Sequence, residues 1–145
     1  FSDRRVLLSA DFKVDDLAQV IGQHPRFDST VPTVIIFEGC SMYFSESENQ
    51  RLFLSFLELM NNPLSCVWAD FVKLAVVTGR TNNLHITNFL QRMDSLGEAF
   101  VFGADDPSEW LESLGFGFVQ TISAGEYLNE IDSVLSAYSF SVAKR

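Results

Sequence analysis

PTVIIFEGCSMYF, the segment from Pro32 to Phe44, decides the fold of this chain. Its β-branched run Thr33–Phe37 follows a proline and ends at Glu38, a pattern that is typical of a buried strand. In α/β proteins such strands alternate along the chain with helices. The sequence on both sides of this segment shows that alternation.

A helix and a second strand follow the segment. Ser45 and Glu48 have the spacing of a capping box. Apolar residues then recur at helical spacing, at Phe53, Phe56, Leu57 and Met60. This pattern predicts a helix from about Glu46 to Asn61. The apolar run Cys66–Val72 then predicts a strand with Asp70 near its end.

A strand and a helix also precede the segment. The apolar run Arg5–Ala10 ends at Asp11 and predicts a buried strand. Residues Val14–Ile21 predict a helix, because Asp15 and Asp16 stand early in it, where a helix N-terminus favours negative charge. The chain from Arg5 to Phe37 is therefore predicted to form a strand, helix, strand unit.

The second half continues the alternation. A helix is predicted over Asn82–Leu96, and a shorter one starts at the N-cap Asp106, with Pro107 at N1 and Gly115 at the C′ position. The remaining predicted elements are a strand at Gly117–Ile122, a helix with Leu128, Ile131 and Leu135 on one face after a capping box at Ser123–Glu126, and a last strand at Tyr138–Ala143.

Repeated alternation of this kind predicts an α/β fold with a mostly parallel sheet and helices on both faces. We expect Val6–Ala10, Thr33–Phe37 and Cys66–Phe71 to be neighbouring strands. The 145 residues, 47% of them apolar, suit a single domain.

Charge and cysteine content argue against several classes of function. Acidic residues outnumber basic ones 19 to 10, and the basic residues are dispersed. Nucleic acid is therefore not an expected partner, since phosphate contacts need a concentrated positive surface. Cys40 and Cys66 lie in no C-x-x-C pair, so we expect no metal site. We also expect no membrane segment and no signal peptide, and hence a cytoplasmic protein.

Carboxylates follow three of the predicted strands, at Asp11, Glu38 and Asp70. Ligands of open α/β sheets bind outside the carboxyl ends of the strands, so these residues are the first candidates for a binding site. A carboxylate there can accept hydrogen bonds from ribose hydroxyls or an ammonium group, and it attracts a cationic ligand. The alternative is that each acid caps a following loop or helix.

The segment Pro32–Phe44 resembles the P-T-x-x-x-x-E-G-x-x-M-Y-L segment of the leucine carboxyl methyltransferase family, which includes many bacterial O-methyltransferases. Three further stretches agree in order and spacing. They are Ser9–Phe12, similar to the family's A-D-L, Phe102–Asp105, similar to its F-G-x-D, and Tyr138–Lys144, similar to its closing strand. Phe12 and Phe44 replace the usual leucine.

This resemblance implies a Rossmann-like class I methyltransferase sheet that uses S-adenosylmethionine and methylates a carboxylate or hydroxyl oxygen. The acceptor is a small molecule or a protein C-terminal carboxylate. The residues implied for these contacts are Asp11 and Phe12 at the adenine end, Glu38 and Gly39 near the methionine end, and Met42 and Tyr43 in the wall between cofactor and acceptor. No catalytic residue and no metal ligand is implied.

Some features of the family have no counterpart in this sequence. They are an early arginine, the Gly-rich turn after the first strand and the acidic ribose-binding residue after the second. Residues 1–145 are therefore expected to form the C-terminal part of a single methyltransferase domain without its first cofactor-binding strands, and to be inactive alone. A sheet without its first strands exposes an edge and an apolar surface, so self-association is expected.

Two other functions compete with this interpretation. One is a non-catalytic α/β module that acts by self-association or by pairing with a missing segment. The other is an α/β-hydrolase, because Ser41, Asp70 and His85 fall in the chain order of its catalytic triad. Against it, Tyr43 replaces the second glycine of the hydrolase elbow, and the helix cap comes later, at Ser45.

Overall fold

A computed structural model describes residues 5–145. The strands are β1 (Val34–Phe37), β2 (Cys66–Val72), β3 (Phe118–Ser123) and β4 (Tyr138–Lys144). The helices are α1 (Leu17–Gly22), α2 (Glu46–Leu59), α3 (Leu74–Val77), α4 (Leu84–Ser95), α5 (Pro107–Ser113) and α6 (Ala124–Tyr127). Two 3-10 turns lie at Ser41–Tyr43 and Val134–Ala137. Within residues 5–145, no helix is long and apolar enough to cross a bilayer.

The sheet is mixed, and the expectation of a mostly parallel sheet is wrong. The strand order is β1-β2-β4-β3, with β1 parallel to β2 and both other pairings antiparallel. Between β3 and β4 the chain forms only short helical turns instead of the long crossover helix that usually joins parallel strands. As a result, β4 returns antiparallel and inserts between β2 and β3.

The predicted helix through Leu128, Ile131 and Leu135 is also wrong. Ser123 precedes α6 but makes no capping hydrogen bond with its side chain. Asn129 has a φ of 56°, which is incompatible with a continuing right-handed helix, and Ile131 is 68% exposed. The apolar spacing in this stretch does not correspond to a buried helix face.

The apolar run Val6–Ala10 is not a strand, which corrects a further prediction. Residues 5–11 have no regular secondary structure, and Leu7 is 94% exposed. Val6 and Leu8 instead line a cavity with Ile21 of α1. A strand needs a hydrogen-bonding partner, and within residues 5–145 the only strand paired with β1 is β2.

Where the sequence carries strong local signals, the predicted elements are confirmed. The Ser45 hydroxyl accepts a hydrogen bond from the Glu48 amide, and the Glu48 carboxylate accepts one from the Ser45 amide, so the capping box of α2 is complete. Asp106 caps α5 through the Glu109 amide, and Gly115 ends the helix at a φ of +104°.

The main core lies between one face of the sheet and helices α2 and α5. Phe53 of α2 lies at its centre, with no exposed surface. Five aromatic rings have their centroids 5.3–6.2 Å from that of Phe53: Phe37, Phe56, Phe71, Trp110 and Phe116. Residues from β1, β2, α2 and α5 thus meet at a single side chain, and Phe116 joins them from the turn before β3.

The opposite face of the sheet is only partly covered. A second, smaller cluster covers it at the end of β2, where Val72 packs with residues of α3, α4 and the turn before β4. Elsewhere large apolar side chains are exposed. These side chains belong to a surface that we call the open sheet face. It is formed by the exposed Val34, Ile36, Phe118 and Ile122 together with the half-buried Trp68, Phe140 and Val142. We expected helices on both faces of the sheet. On this second face they are present only near Val72.

The position of Phe53 predicts the cost of truncating it. Phe53→Ala should lower the free energy of unfolding by about 3–5 kcal/mol, because it leaves a cavity among five rings. Leu54→Ala on the same helix removes a 45% exposed side chain and should cost less than about 1 kcal/mol. Urea unfolding followed by circular dichroism measures both, and equal losses would contradict the assignment of Phe53 to the core centre.

Candidate functional site at the carboxyl ends of β1 and β2

A tight turn follows β1 and is held from β2. Gly39 adopts a φ of +65°, in the left-handed region that favours glycine. Its amide donates a hydrogen bond to Asp70 Oδ1 at 2.8 Å. Ser41 Oγ donates another to the Asp70 carbonyl at 2.6 Å. Asp70 itself is buried, with 4% of its surface exposed, whereas Glu38 and Gly39 face solvent.

Asn49 of α2 holds the following 3-10 turn from the other side. Its Nδ2 donates to the carbonyls of Ser41, Phe44 and Ser45 at 2.9–3.2 Å. Asn49 was not among the residues predicted from the sequence to form the site. A signal was present, because Asn49 lies on the same helical stripe as Phe53, at spacing i, i+4, and a polar residue on an apolar stripe needs an internal partner.

The electrostatics of this strand end are dominated by carboxylates. Burial raises the pKa of Asp70, the nearby charge of Glu38 raises it further, and the Gly39 hydrogen bond opposes both. Burial, and then the charges of Asp70 and Tyr43, raise the pKa of Tyr138 to about 12. Among residues 5–145, no cation forms an ion pair with Asp70.

Aromatic packing of Phe12 brings Phe12 and the preceding Asp11 to the same end of the sheet. The Phe12 ring lies 6.4 Å from that of Phe37, the residue before Glu38, and 6.1 Å from that of Phe44. Its carbonyl accepts a hydrogen bond from Arg51 at 2.7 Å. Asp11 is exposed, and its Oδ1 accepts from the Lys13 amide, as a loop cap does.

Met42 and Tyr43 lie in the 3-10 turn beyond Gly39. Met42 is buried in the second cluster, and its carbonyl accepts hydrogen bonds from the amides of Val101 and Phe102. Tyr43 is half-buried and packs edge-on against Phe100, with their ring centroids 5.4 Å apart. Their role as a wall between cofactor and acceptor stays a prediction.

The F-G-x-D stretch docks against the end of β2. The Ala104 amide donates to the Val72 carbonyl at 2.8 Å, and Asp105 Oδ1 accepts from the Leu74 amide at 3.1 Å. A Cβ at Gly103 would lie 2.9 Å from the Val72 carbonyl oxygen, so only glycine fits this approach. Tyr138, which begins β4, pairs with Val72, so all four stretches that carry the family resemblance have residues near the ends of β1 and β2.

A hydrolase triad is not assembled. Ser41 is fully buried, and its hydroxyl donates to the backbone carbonyl of Asp70 instead of to a histidine. His85 is exposed in the first turn of α4, and within the described part of the chain no hydrogen bond joins it to Ser41. The arrangement does not supply the base that a nucleophilic serine needs.

Residues 1–56 match the leucine carboxyl methyltransferase family. The match contains the Asp11, Glu38 and Ser45 positions, and it ends within α2. The stretches Phe102–Asp105 and Tyr138–Lys144 lie outside the matched range. No curated protein matches the chain.

Solved structures share the fold of this chain. A DUF574 family protein from Streptomyces avermitilis superposes with a TM-score of 0.58 at 10% identity, over 94% of this chain and 53% of that one. A possible exported protein from Bordetella parapertussis gives 0.52 at 12% identity, over 88% and 48%. The S-adenosylmethionine-dependent methyltransferase SibL in its apo form gives 0.51 at 15% identity, over 94% and 34%. The chain thus spans between a third and about half the length of these neighbours.

The raised pKa of Asp70 predicts how stability depends on pH. A raised folded-state pKa means that the folded state holds the proton more tightly. The contribution of Asp70 to stability is therefore largest below the unfolded aspartate pKa of about 3.9 and is lost as pH rises through the folded value. Asp70→Asn should be more stable than the native chain at pH 7, and this advantage should disappear below about pH 4. Thermal melts across this range measure the difference.

Asp28→Asn is the matched control with the opposite sign. Hydrogen bonds from the Thr30 hydroxyl and amide lower the pKa of Asp28, so its ionised form favours the folded state. That stabilisation is present above the unfolded pKa and is lost as pH falls, so this variant should be slightly less stable than the native chain at pH 7. A stability difference for Asp70→Asn that stays constant with pH would contradict the assignment.

Proposed function

We propose that this chain is part of an S-adenosylmethionine-dependent O-methyltransferase and that the Glu38–Gly39 turn receives the methionine end of the cofactor. One observation carries the proposal. Glu38 and the buried Asp70 stand together at the carboxyl ends of two adjacent parallel strands, and no cation within residues 5–145 neutralises Asp70. This strand end suits a ligand with positive charge, as a sulfonium with an amino-acid ammonium has.

The other candidate residues fit the same arrangement. Phe12 presents an aromatic ring beside the end of β1, where an adenine base can pack, and Asp11 is exposed next to it. Tyr43 lies four residues after Gly39, half-buried in the 3-10 turn, and in this proposal it forms part of the wall towards the acceptor. The match of residues 1–56 to the leucine carboxyl methyltransferase family supports these assignments.

The bound cofactor would supply an activated methyl group for an acceptor oxygen. A carboxylate acceptor is ionised at neutral pH, because its pKa is about 4, so this chain needs no strong general base. Its residues would contribute by binding and aligning the two reactants. A small carboxylic acid and a protein C-terminus are both acceptors of this class.

We further propose that the chain contributes only part of the cofactor site. The Gly-rich turn and the ribose-binding acid of the family have no counterpart in its sequence. The structural neighbours are two to three times longer than the part of them that this chain covers. Residues 1–145 alone are therefore expected to be inactive, and a longer natural polypeptide that includes them is expected to bind the cofactor.

Glu38→Gln tests the site in that longer polypeptide. The variant keeps the shape of the side chain but removes its charge. Loss of one charge-assisted hydrogen bond should weaken S-adenosylmethionine binding about ten- to a hundredfold, or roughly 1.5–3 kcal/mol. The melting temperature should change little, because Glu38 is exposed. Isothermal titration calorimetry measures the affinity.

Glu46→Gln is the matched control, because Glu46 is also exposed and lies in the first turn of α2. It should leave cofactor affinity within about twofold. A steep fall in melting temperature for Glu38→Gln at unchanged affinity would show that Glu38 is a structural cap. Micromolar binding to residues 1–145 alone would contradict the proposal of a partial site.

A second candidate function, a non-catalytic module that self-associates, is favoured by the open sheet face. Val34 and Ile36 are 65% and 69% exposed on a strand whose outer edge pairs with no other strand in residues 5–145. An apolar surface beside a free strand edge favours pairing with another chain. In this proposal, Trp68 and Phe140, whose rings stack at 5.1 Å, form the centre of the contact.

Ile36→Lys tests self-association. A charge in the middle of β1 should be costly to bury, so the variant should shift the chain from oligomer to monomer. Leu96→Lys, at the exposed C-cap residue that follows α4, should leave the distribution unchanged. Sedimentation velocity over a concentration series measures both. A monomeric native chain at every concentration would overturn the second candidate function.

A further inference from the structure

We propose that Asp70 is a positioning residue for Glu38: its carboxylate holds the Gly39 amide and so determines the direction in which the Glu38–Gly39 turn leaves β1. The inference rests on the proposed function, since Glu38 is the group that would meet the cofactor. In this role the buried Asp70 side chain of β2 neither packs in the core nor contacts the ligand directly.

The geometry shows that the turn depends on Asp70. Gly39 lies two residues beyond the end of β1, so its amide has no partner in the β1–β2 ladder, and its left-handed φ turns the following chain away from the strand path. Asp70 Oδ1 accepts that amide at 2.8 Å. The Asp70 carbonyl accepts the Ser41 hydroxyl at 2.6 Å, so the same residue holds the chain on both sides of Cys40.

A buried carboxylate at this position lowers the stability of the folded chain. A glutamine, asparagine or serine oxygen could accept the same amide without a buried charge. Asp70 faces Glu38 from the β1 turn, Cys40 and Tyr43 from the segment after it, and Tyr138 from β4. None of these groups is cationic. An uncompensated charge lowers stability, and charges of this kind persist where function uses them.

The charge also explains how Asp70 can act through Glu38. A charged acceptor holds an amide more strongly than a neutral one does, so the turn is more rigid. The carboxylate of Asp70 also repels that of Glu38. This repulsion favours an orientation of Glu38 away from the interior and towards solvent, where a cationic ligand would arrive.

Amide hydrogen exchange in the 145-residue chain tests the first step. Asp70→Ala should speed exchange of the Gly39 amide about ten- to a hundredfold, while the Phe53 amide keeps its rate. Asp70→Asn should restore most of the protection, since the amide oxygen of Asn can accept the same bond. Asp105→Ala is the control. It removes the acceptor of the Leu74 amide and should leave Gly39 unchanged.

A pH titration of the native chain tests the contact between Asp70 and the Gly39 amide without any substitution. The Gly39 amide chemical shift should follow Asp70 with a midpoint above about 4, and Asp70→Asn should abolish this transition. This measurement keeps the inference testable if Asp70→Ala does not fold. Unchanged Gly39 exchange in Asp70→Ala, or a Gly39 shift that ignores Asp70, would overturn it.

The link to Glu38 is tested by cofactor affinity in the longer polypeptide. Asp70→Asn should weaken S-adenosylmethionine binding in the native background and should add less than about twofold in a Glu38→Gln background, because the two residues act together. Full additivity would overturn the inference while leaving the proposed function intact. Absence of cofactor binding by the native polypeptide would refute the proposed function, and the Gly39 measurements would still decide whether Asp70 holds the turn.

Discussion

The parallel pairing of β1 with β2 determines where every candidate functional group lies. Phe37 pairs with Ala69, so Glu38 and Asp70 follow on adjacent strands at the same edge of the sheet. Parallel strands place their carboxyl ends together, and two acids separated by 32 positions in sequence become neighbours. The hydrogen bond from Gly39 to Asp70 then fixes the turn, and the 3-10 segment, Asn49 and the start of α2 follow from its direction.

This strand end is assembled on a rigid aromatic foundation. Phe37 lies immediately before Glu38, and its ring packs against Phe53 and Phe56 of α2 on one side and Phe12 and Phe44 on the other. Core packing therefore ends within one residue of the candidate site.

The two faces of the sheet differ in how they are used. One face is sealed by α2 and α5, whereas the other is sealed only near Val72 and leaves Val34, Ile36 and Phe118 in contact with solvent. The same β1 strand contributes Phe37 to the sealed face and Ile36 to the open one, because successive side chains point to opposite faces. Cofactor binding and self-association would therefore use different surfaces, one at the strand ends and the other across the open sheet face.

The sequence by itself determined the elements that rest on local interactions. The capping box at Ser45 and Glu48, the Asp106 cap and the β-branched and aromatic run Cys66–Val72 define α2, α5 and β2 through contacts between residues close in sequence. The family resemblance of the Glu38 segment could also be recognised from the sequence, because its motif is continuous.

Only the tertiary structure decided strand order, strand direction and the role of Asp70. Apolar runs look alike whether they pair parallel, pair antiparallel or stay unpaired, so Val6–Ala10 and β4 could not be placed from their residues. The hydrogen bonds of Asp70 and Asn49 join segments through space, and no local pattern encodes a partner that folding alone brings within 3 Å. Propensity acts over a few residues, whereas the sheet is selected by the burial that the whole chain achieves.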